Sequence, residues 1–182
     1  MKQLIILDRD GVINFESKDF IKSAEEFTPI PGSLEAIAKL NQAGFIVCVA
    51  TNQSGVGRQL FTEETLSNIH NKMRKLLSEV GGKIDDILYC PHLPNENCLC
   101  RKPLPGMILE LLSKFQVAPQ NTYVIGDSLR DLQAGEAAGC KAILVKTGNG
   151  TRTLSEHLEL KEGLVFDNLD QTANYLLSLT HQ

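Results

Sequence analysis

The sequence predicts an α/β fold of three layers, in which helices cover both faces of a central parallel sheet. Short apolar runs with the length of buried strands alternate along the chain with longer segments of helical periodicity. Polar residues follow several of these runs directly, as expected where the carboxyl ends of parallel strands open onto a ligand crevice. The chain has 182 residues, 42% of them hydrophobic, which predicts a single domain over residues 1–182.

Composition excludes several classes of function. A formal net charge of −4 gives no electrostatic footprint for nucleic acid or an anionic membrane. No apolar run approaches the roughly 20 residues that a membrane-spanning helix needs. Acidic residues follow the first apolar run so closely that it cannot be the apolar region of a signal peptide. We therefore expect a cytoplasmic protein, and nothing requires more than a monomer. In a reducing compartment, the five cysteines need a role other than disulfides.

The first element is a strand over Leu4–Leu7, followed at once by Asp8, Asp10 and Gly11. Successive residues of an extended chain point to opposite sides, so the two carboxylates are expected to share one side while Arg9 faces away. Two such carboxylates repel unless a cation or a shared proton lies between them. A metal-assisted phosphoryl transfer would use both, one as the nucleophile and one as the acid and base. The alternative is a strand that ends in a plain Asp/Gly turn.

A loop over 14–28 is expected to lean over these acids. A helix over 33–43 and a strand over 45–50 follow, and the strand runs into the polar, glycine-rich stretch 51–58. The Thr51 hydroxyl and the backbone amides of such a stretch can cradle a phosphate, although a plain connecting loop has the same composition. The glycines do not have the spacing of a dinucleotide-binding fingerprint, which excludes a nicotinamide cofactor.

A long helix runs from Thr62 to Val80 and carries His70, which has no partner motif and is interpreted as structural. A strand over 84–89 leads into Cys90, His92, Cys98 and Cys100. This grouping of soft and borderline ligands matches a closed Cys₃His zinc site, and coincidental buried thiols are the alternative. No ligand position is left open for catalysis, so the zinc is expected to be structural and to hold the inserted loop 90–103.

Arg101 and Lys102 follow the last cysteine directly. A loop stiffened by zinc would hold these two cations at a fixed place, as an anionic substrate requires, although ordinary surface charges would look the same. After a helix over 107–115 and a strand over 122–125, Asp127 comes at the strand's carboxyl end. Asp127 would complete an oxygen-ligand set for Mg²⁺ with Asp8 and a main-chain carbonyl. Asp131 either caps the next helix or supports the site.

The remaining elements alternate regularly. They are a helix over 132–138, a strand over 141–145, a short helical segment over 154–158, a strand over 164–166 and a closing helix over 169–179. Cys48 and Cys140 lie in or beside strands and are expected to be small core residues without a metal role.

The order of these signals resembles the four motifs of the haloacid dehalogenase-like phosphohydrolase superfamily over nearly the whole chain. Within it, the stretches Asp8–Asn14, Thr51–Arg58, Phe61–Glu64 and Cys90–Pro103 resemble the D-glycero-D-manno-heptose 1,7-bisphosphate 7-phosphatase family. The resemblance implies a Rossmannoid three-layer sandwich. No insertion in the sequence is large enough to form a cap domain, so we expect an uncapped site whose walls are the 14–28 loop and the predicted zinc loop, residues 90–103.

The resemblance further implies roles for particular residues. Asp8 would attack the phosphorus, Asp10 would act as acid and then base, and Thr51 and Lys102 would stabilise the phosphoryl group. Mg²⁺ would be held by Asp8, Asp127 and the main-chain carbonyl of Asp10. The substrate would be contacted by Asn52, Gln53, Ser54 and Arg101.

Two alternatives stay open at this point. Gln59 stands where the heptose family often has glycine, and the short gap from His92 to Cys98 is similar to the related histidinol-phosphate phosphatase branch. That branch would place the protein in histidine biosynthesis, whereas the heptose family supplies activated heptose for the lipopolysaccharide core. A non-catalytic zinc module that binds a protein partner is a hypothesis of another class.

Overall fold

The structure is a computed structural model that describes residues 2–180. In this part of the chain, a parallel sheet of six strands has the order β3-β2-β1-β4-β5-β6. This order is the doubly wound one, with its topological switch between β1 and β4. The strands are β1 (Leu4–Leu7), β2 (Ile46–Asn52), β3 (Asp86–Cys90), β4 (Thr122–Gly126), β5 (Lys141–Val145) and β6 (Leu164–Phe166).

All helices but the last connect consecutive strands, which confirms the predicted α/β class. They are α1 (Ser33–Gln42), α2 (Ser54–Gly57), α3 (Glu63–Glu79), α4 (Gly106–Phe115), α5 (Leu129–Ala137), α6 (Gly150–Glu156) and α7 (Leu169–Thr180). Most predicted bounds agree with these to within two residues. A 3-10 turn, Leu158–Glu162, separates α6 from β6.

Strand β1 shows how the sequence produces three layers. Its four residues are all buried, which is why the run is continuously apolar. Ile5 and Leu7 belong to the core under α1, α3 and α7, whereas Leu4 and Ile6 belong to the core under α4 and α5. The sheet therefore buries both faces, and the carboxyl ends of its strands remain free for a site.

The start of α5 differs from the prediction. The apolar pattern predicts a helix from Leu132, but the helix begins at Leu129. The Asp131 carboxylate accepts hydrogen bonds from the backbone N–H of Ser128 (3.1 Å) and from its hydroxyl (2.7 Å). This Ser-x-x-Asp cap lets the helix begin at Leu129, three residues before the predicted start.

No insertion of the size of a cap domain interrupts residues 2–180, in agreement with the prediction. The connection from β1 to α1 and the zinc loop after β3 instead rise at the carboxyl end of the sheet. Within the same residues, we find no helix that combines the length and the apolar character needed to cross a membrane.

Candidate active site and metal centres

A cavity of about 260 Å³ opens at the carboxyl ends of the strands. The 14–28 loop forms one wall of this cavity through Glu16, Ser17, Phe20 and Ile21. The cavity brings together every residue for which a catalytic, substrate or magnesium role was predicted from the sequence: Asp8, Asp10, Thr51, Asn52, Gln53, Ser54, Arg101, Lys102 and Asp127.

Lys102 lies at the centre of this cavity and is 4% exposed. Its Nζ donates to the Ala50 carbonyl at 2.7 Å and lies 2.7 Å from Asp131 Oδ1 and 3.1 Å from Asp8 Oδ1. Burial opposes the charged form of this lysine, but the Asp131 and Asp8 carboxylates raise its pKa above the ordinary value. Lys102 is therefore a fixed positive charge beside Asp8.

Asp8 is held on one side only. Its Oδ1 accepts a hydrogen bond from the backbone N–H of Arg9 at 2.9 Å and faces the Lys102 ammonium. Among residues 2–180, no hydrogen bond is made to Oδ2. One carboxylate oxygen is thus oriented by the protein while the other is free to attack a substrate or bind a cation.

Asp10 is oriented by a buried guanidinium. Nε and Nη2 of Arg9 donate to Asp10 Oδ1 at 3.1 and 3.0 Å, and Nη1 lies 3.1 Å from Nε2 of His70. The prediction that Arg9 faces away is wrong, because the strand ends at Leu7 and its alternation does not extend to Asp10. Burial alone would raise the pKa of Asp10, but Arg9 and the hydrogen bonds from Asn14 and Gln53 hold it below its ordinary value.

Residues at the carboxyl end of β2 contact the residues with predicted catalytic roles and also line the cavity. The Asn52 amide accepts from the backbone N–H of Lys102 at 3.0 Å and donates to its carbonyl at 3.1 Å. The Gln53 amide donates to Asp10 Oδ2 and to Thr51 Oγ1, each at 3.0 Å. Asn52 and Gln53 therefore fix the backbone of Lys102 and the carboxylate of Asp10.

Three carboxylates, those of Asp8, Asp127 and Asp131, have oxygen atoms within 4.8 Å of one another. Asp131 is already engaged by Lys102 and by the α5 cap, which leaves Asp8 and Asp127 for a cation. Burial, together with the neighbouring carboxylates, raises the pKa of Asp8 to about 6 and that of Asp127 to about 8. The raised pKa values show that the two neighbouring carboxyl groups do not readily carry negative charge together. Mg²⁺ prefers oxygen ligands, and its charge would relieve the repulsion between the two carboxylates.

Two glycines leave room for Asp127 against β1. A Cβ on Gly11 would lie 2.1 Å from Asp127 Oδ2, and a Cβ on Gly148 would lie 2.3 Å from the same atom. Asp127 Oδ2 accepts from the backbone N–H of Asn149 at 2.8 Å, and its carbonyl accepts from the Thr153 hydroxyl at 2.9 Å. The close approach of the loops after β1 and β5 thus aims the Asp127 carboxylate.

The zinc loop brings Cys90, His92, Cys98 and Cys100 together, with one ligand atom from each within 4.8 Å of the others. Sγ of Cys90 lies 3.8 Å from Sγ of Cys98 and 3.4 Å from Nδ1 of His92, which is 3.3 Å from Sγ of Cys100. Tetrahedral zinc, with Zn–S bonds of about 2.3 Å and a Zn–N bond of about 2.0 Å, requires S–S edges of about 3.8 Å and S–N edges of about 3.5 Å. The cluster is therefore compatible with a closed zinc site.

Positive charge gathers at the mouth of the cavity. Arg101 lines it beside Lys102 and donates to the His92 carbonyl at 3.3 Å, and Arg130 lines it from the first turn of α5. The Arg58 guanidinium lies 6.0 Å from the ring centroid of Phe20, which also lines the cavity. Burial and the charges of Arg130 and Arg58 lower the pKa of Arg101.

Comparison with known proteins shows which proteins have a similar sequence. The chain is 51% identical over 177 residues to D-glycero-beta-D-manno-heptose-1,7-bisphosphate 7-phosphatase of Neisseria meningitidis, an alignment that covers 96% of this chain and 95% of the relative. It is 48% identical to the Pseudomonas aeruginosa protein of the same name, over 97% of this chain and 98% of that one. The chain belongs to the heptose-1,7-bisphosphate 7-phosphatase family.

Two further comparisons agree with membership of the heptose-bisphosphate phosphatase family. A family model described as HAD-hydrolase-like matches residues 99–172. The crystal structure of D,D-heptose 1,7-bisphosphate phosphatase from B. bronchiseptica, complexed with magnesium and phosphate, matches with a TM-score of 0.93 and 50% identity. That match covers 98% of this chain and 99% of the other.

Some residues that line the cavity were not predicted from the sequence. Arg130 and Asn149 line the cavity, and the sequence analysis assigned neither of them a role. Asp131 was left between a cap and a supporting role, and it fills both, because its Oδ2 caps α5 while its Oδ1 pairs with Lys102. The Ser-x-x-Asp pattern could have indicated the cap, but no local signal indicates the ion pair.

Proposed function

We propose that this protein is a Mg²⁺-dependent phosphatase that removes the 7-phosphate of D-glycero-D-manno-heptose 1,7-bisphosphate through an aspartyl-phosphate intermediate. The observation that carries the proposal is that Asp8, Lys102 and Asp127 converge in one cavity of a chain from this family. The relatives' names specify the sugar bisphosphate.

In the first half of the reaction, an Asp8 oxygen forms a bond to phosphorus while the bond from phosphorus to the sugar oxygen breaks. Negative charge then spreads over the equatorial phosphoryl oxygens. Lys102, fixed by Ala50 and Asp131, and the buried Thr51 hydroxyl are already in place to stabilise that charge. These two groups therefore do not have to move when the phosphoryl group is transferred.

Asp10 acts as the general acid and then as the general base. It donates one to the departing sugar oxygen and later takes one from the water that attacks the aspartyl phosphate, which releases inorganic phosphate and restores Asp8. Because Arg9 lowers the pKa of Asp10, this group starts ionised and must take up a proton when substrate binds. The negative charge of a bound phosphate raises the pKa of a nearby carboxyl group and so favours that uptake.

Two metals belong to the proposal. Mg²⁺ would be held by Asp8, Asp127 and the Asp10 carbonyl, and when bound it supplies positive charge for the phosphoryl oxygens. Zn²⁺ would be held by the Cys₃His cluster, where its contribution is structural. By ordering the inserted loop 90–103, zinc would fix the direction in which Arg101 and Lys102 enter the cavity.

The proposal places the protein in the cytoplasm, where thiols stay reduced and available to zinc, as a monomeric single domain over residues 1–182. Removal of the 7-phosphate would serve the supply of ADP- or GDP-heptose for the lipopolysaccharide core. The relatives' names do not favour histidinol phosphate as the substrate or a non-catalytic zinc module as the function.

The test is phosphate release in the presence of Mg²⁺, with heptose 1,7-bisphosphate and histidinol phosphate compared at matched concentrations. We expect a large kcat/KM preference for the bisphosphate, with phosphorus NMR showing loss of the 7-phosphate alone. Asp8→Asn is the control and should release no phosphate. A preference for histidinol phosphate would overturn the substrate assignment, and the absence of Mg²⁺-dependent phosphate release would overturn the enzymatic one.

A further inference from the structure

One ion pair brings two arginines to the same side of the cavity. Lys102 Nζ and Asp131 Oδ1 are 2.7 Å apart and almost fully buried, so they fix the end of the zinc loop against the start of α5. Arg101 immediately precedes Lys102, and Arg130 immediately precedes Asp131. Both arginines line the active-site cavity and also a second cavity of about 450 Å³ beside it.

In the part of the chain that the structure describes, the guanidinium groups of Arg101 and Arg130 do not pair with carboxylates, although surface arginines commonly do. Among residues 2–180, neither lies within 4 Å of a carboxylate, and the charge of Arg130 acts unfavourably on Arg101. Glu96 is the carboxylate that lines the second cavity, and it accepts a hydrogen bond from the backbone N–H of Leu93. Arg130 also lies in the first turn of α5, where the helix dipole disfavours a cation.

We propose that Arg130, together with Arg101, binds the second phosphate of the bisphosphate substrate, the one that is not transferred. The inference rests on the proposed function, and it makes Arg130 a specificity-determining residue. Arginine suits this task because its planar fork of donors matches phosphate oxygens. Arg101 adjoins Lys102 in the chain and lines the same cavity, so one substrate could place one phosphate at Lys102 and the other at Arg101.

Arg130 is the better of the two residues to test. Arg101 follows a proposed zinc ligand and contacts the His92 carbonyl, so its removal would also disturb the zinc loop. The side chain of Arg130 is exposed and makes no hydrogen bond to another described residue, so Arg130→Gln should fold normally. Arg152→Gln is the matched control, because Arg152 is an exposed helical arginine that lines neither cavity and pairs with Glu156 at 3.8 Å.

The experiment measures kcat and KM of the Mg²⁺-loaded protein for heptose 1,7-bisphosphate and for heptose 7-phosphate. We expect Arg130→Gln to lower kcat/KM for the bisphosphate at least tenfold, mainly through KM, and to change that for the monophosphate several-fold less. Arg130→Lys should restore part of the loss, and Arg152→Gln should match wild type. Raised salt should weaken the preference of wild type for the bisphosphate more than that of Arg130→Gln.

Equal losses on the two substrates, or no loss on the bisphosphate, would overturn the role of Arg130 while leaving the proposed function intact. A wild-type protein without any preference for the bisphosphate over the monophosphate would overturn both.

Discussion

Nζ of Lys102 lies 2.7 Å from Oδ1 of Asp131, and both side chains are at most 4% exposed. Lys102→Met would leave the carboxylates of Asp8, Asp127 and Asp131 together without their cation. We expect kcat to fall at least about a hundredfold, as for the loss of a preorganised charge donor. In Mg²⁺-free buffer, the free energy of unfolding from urea titration should fall by about 3 kcal/mol, as for a broken buried ion pair.

Lys114→Met is the control for this prediction. The Lys114–Asp86 pair has the same 2.7 Å separation, but its lysine side chain is 58% exposed. An exposed pair of this kind contributes little to stability, so the free energy of unfolding should change little and activity should not change. Equal effects of the two substitutions would contradict the role assigned to Lys102.

Asp10→Asn separates the two halves of the proposed reaction. With p-nitrophenyl phosphate, whose leaving group departs without protonation, Asp8 should still accept the phosphoryl group. Water would then lack its base, so the aspartyl phosphate should accumulate. Mass spectrometry of the quenched protein should show one added phosphoryl group on Asp8, with turnover nearly abolished. Rapid turnover without a trapped adduct would contradict the role of Asp10.

Zinc removal should loosen the loop that presents Arg101 and Lys102. Cys98→Ser should lower the zinc content found by elemental analysis and lower the Tm by about 4 °C or more, which corresponds to about 1–2 kcal/mol for a chain of this size. The kcat/KM should fall with it. Cys140→Ser is the control for the zinc content, because Cys140 is a buried cysteine outside the cluster. Unchanged Tm and activity after verified zinc loss would exclude a structural zinc.

We expect the buried side chain of His70 to make the fold less stable at acidic pH. Burial and the neighbouring Arg9 lower its pKa to about 3, whereas a histidine in the unfolded chain has a pKa of about 6.5. Between these two pKa values the unfolded chain binds more protons, so the free energy of unfolding falls as the pH is lowered below about 6.5. From pH 7 to pH 5 this group should account for about 2 kcal/mol.

The check is His70→Gln, whose side-chain oxygen can still accept the 3.1 Å hydrogen bond from Arg9. Urea unfolding at the two pH values should show a smaller acid loss in the variant than in wild type, by about 2 kcal/mol. An identical loss in both proteins would show that His70 is not kept neutral by the fold.

The sequence predicts the site residues whose positions follow from the order of the strands along the chain. Asp8, Thr51 and Asp127 follow apolar runs, and a parallel sheet brings the ends of such runs to one edge. The contact between Arg9 and His70 could not be predicted this way, because it joins residues 61 positions apart through the packing of α3 on the sheet. Arg130 was missed for a similar reason, since only the tertiary pairing of Lys102 with Asp131 brings it to Arg101.

Gly11 offers a test of the magnesium site that separates backbone strain from crowding. Gly11 has a φ of +84°, and a Cβ there would lie 2.1 Å from Asp127 Oδ2 and 3.2 Å from the backbone of Gly148. Gly44 has a φ of +88°, and a Cβ on it would meet no other atom within 4 Å. Both Gly→Ala variants should lose about 1 kcal/mol from the left-handed conformation.

Gly11→Ala should in addition displace the Asp127 carboxylate, because the new methyl group would occupy the space of its Oδ2. The Mg²⁺ concentration for half-maximal activity should therefore rise at least tenfold, whereas Gly44→Ala should need no more Mg²⁺ than wild type. Equal Mg²⁺ requirements in the two variants would show that the close approach of Gly11 to Asp127 does not shape the cation site.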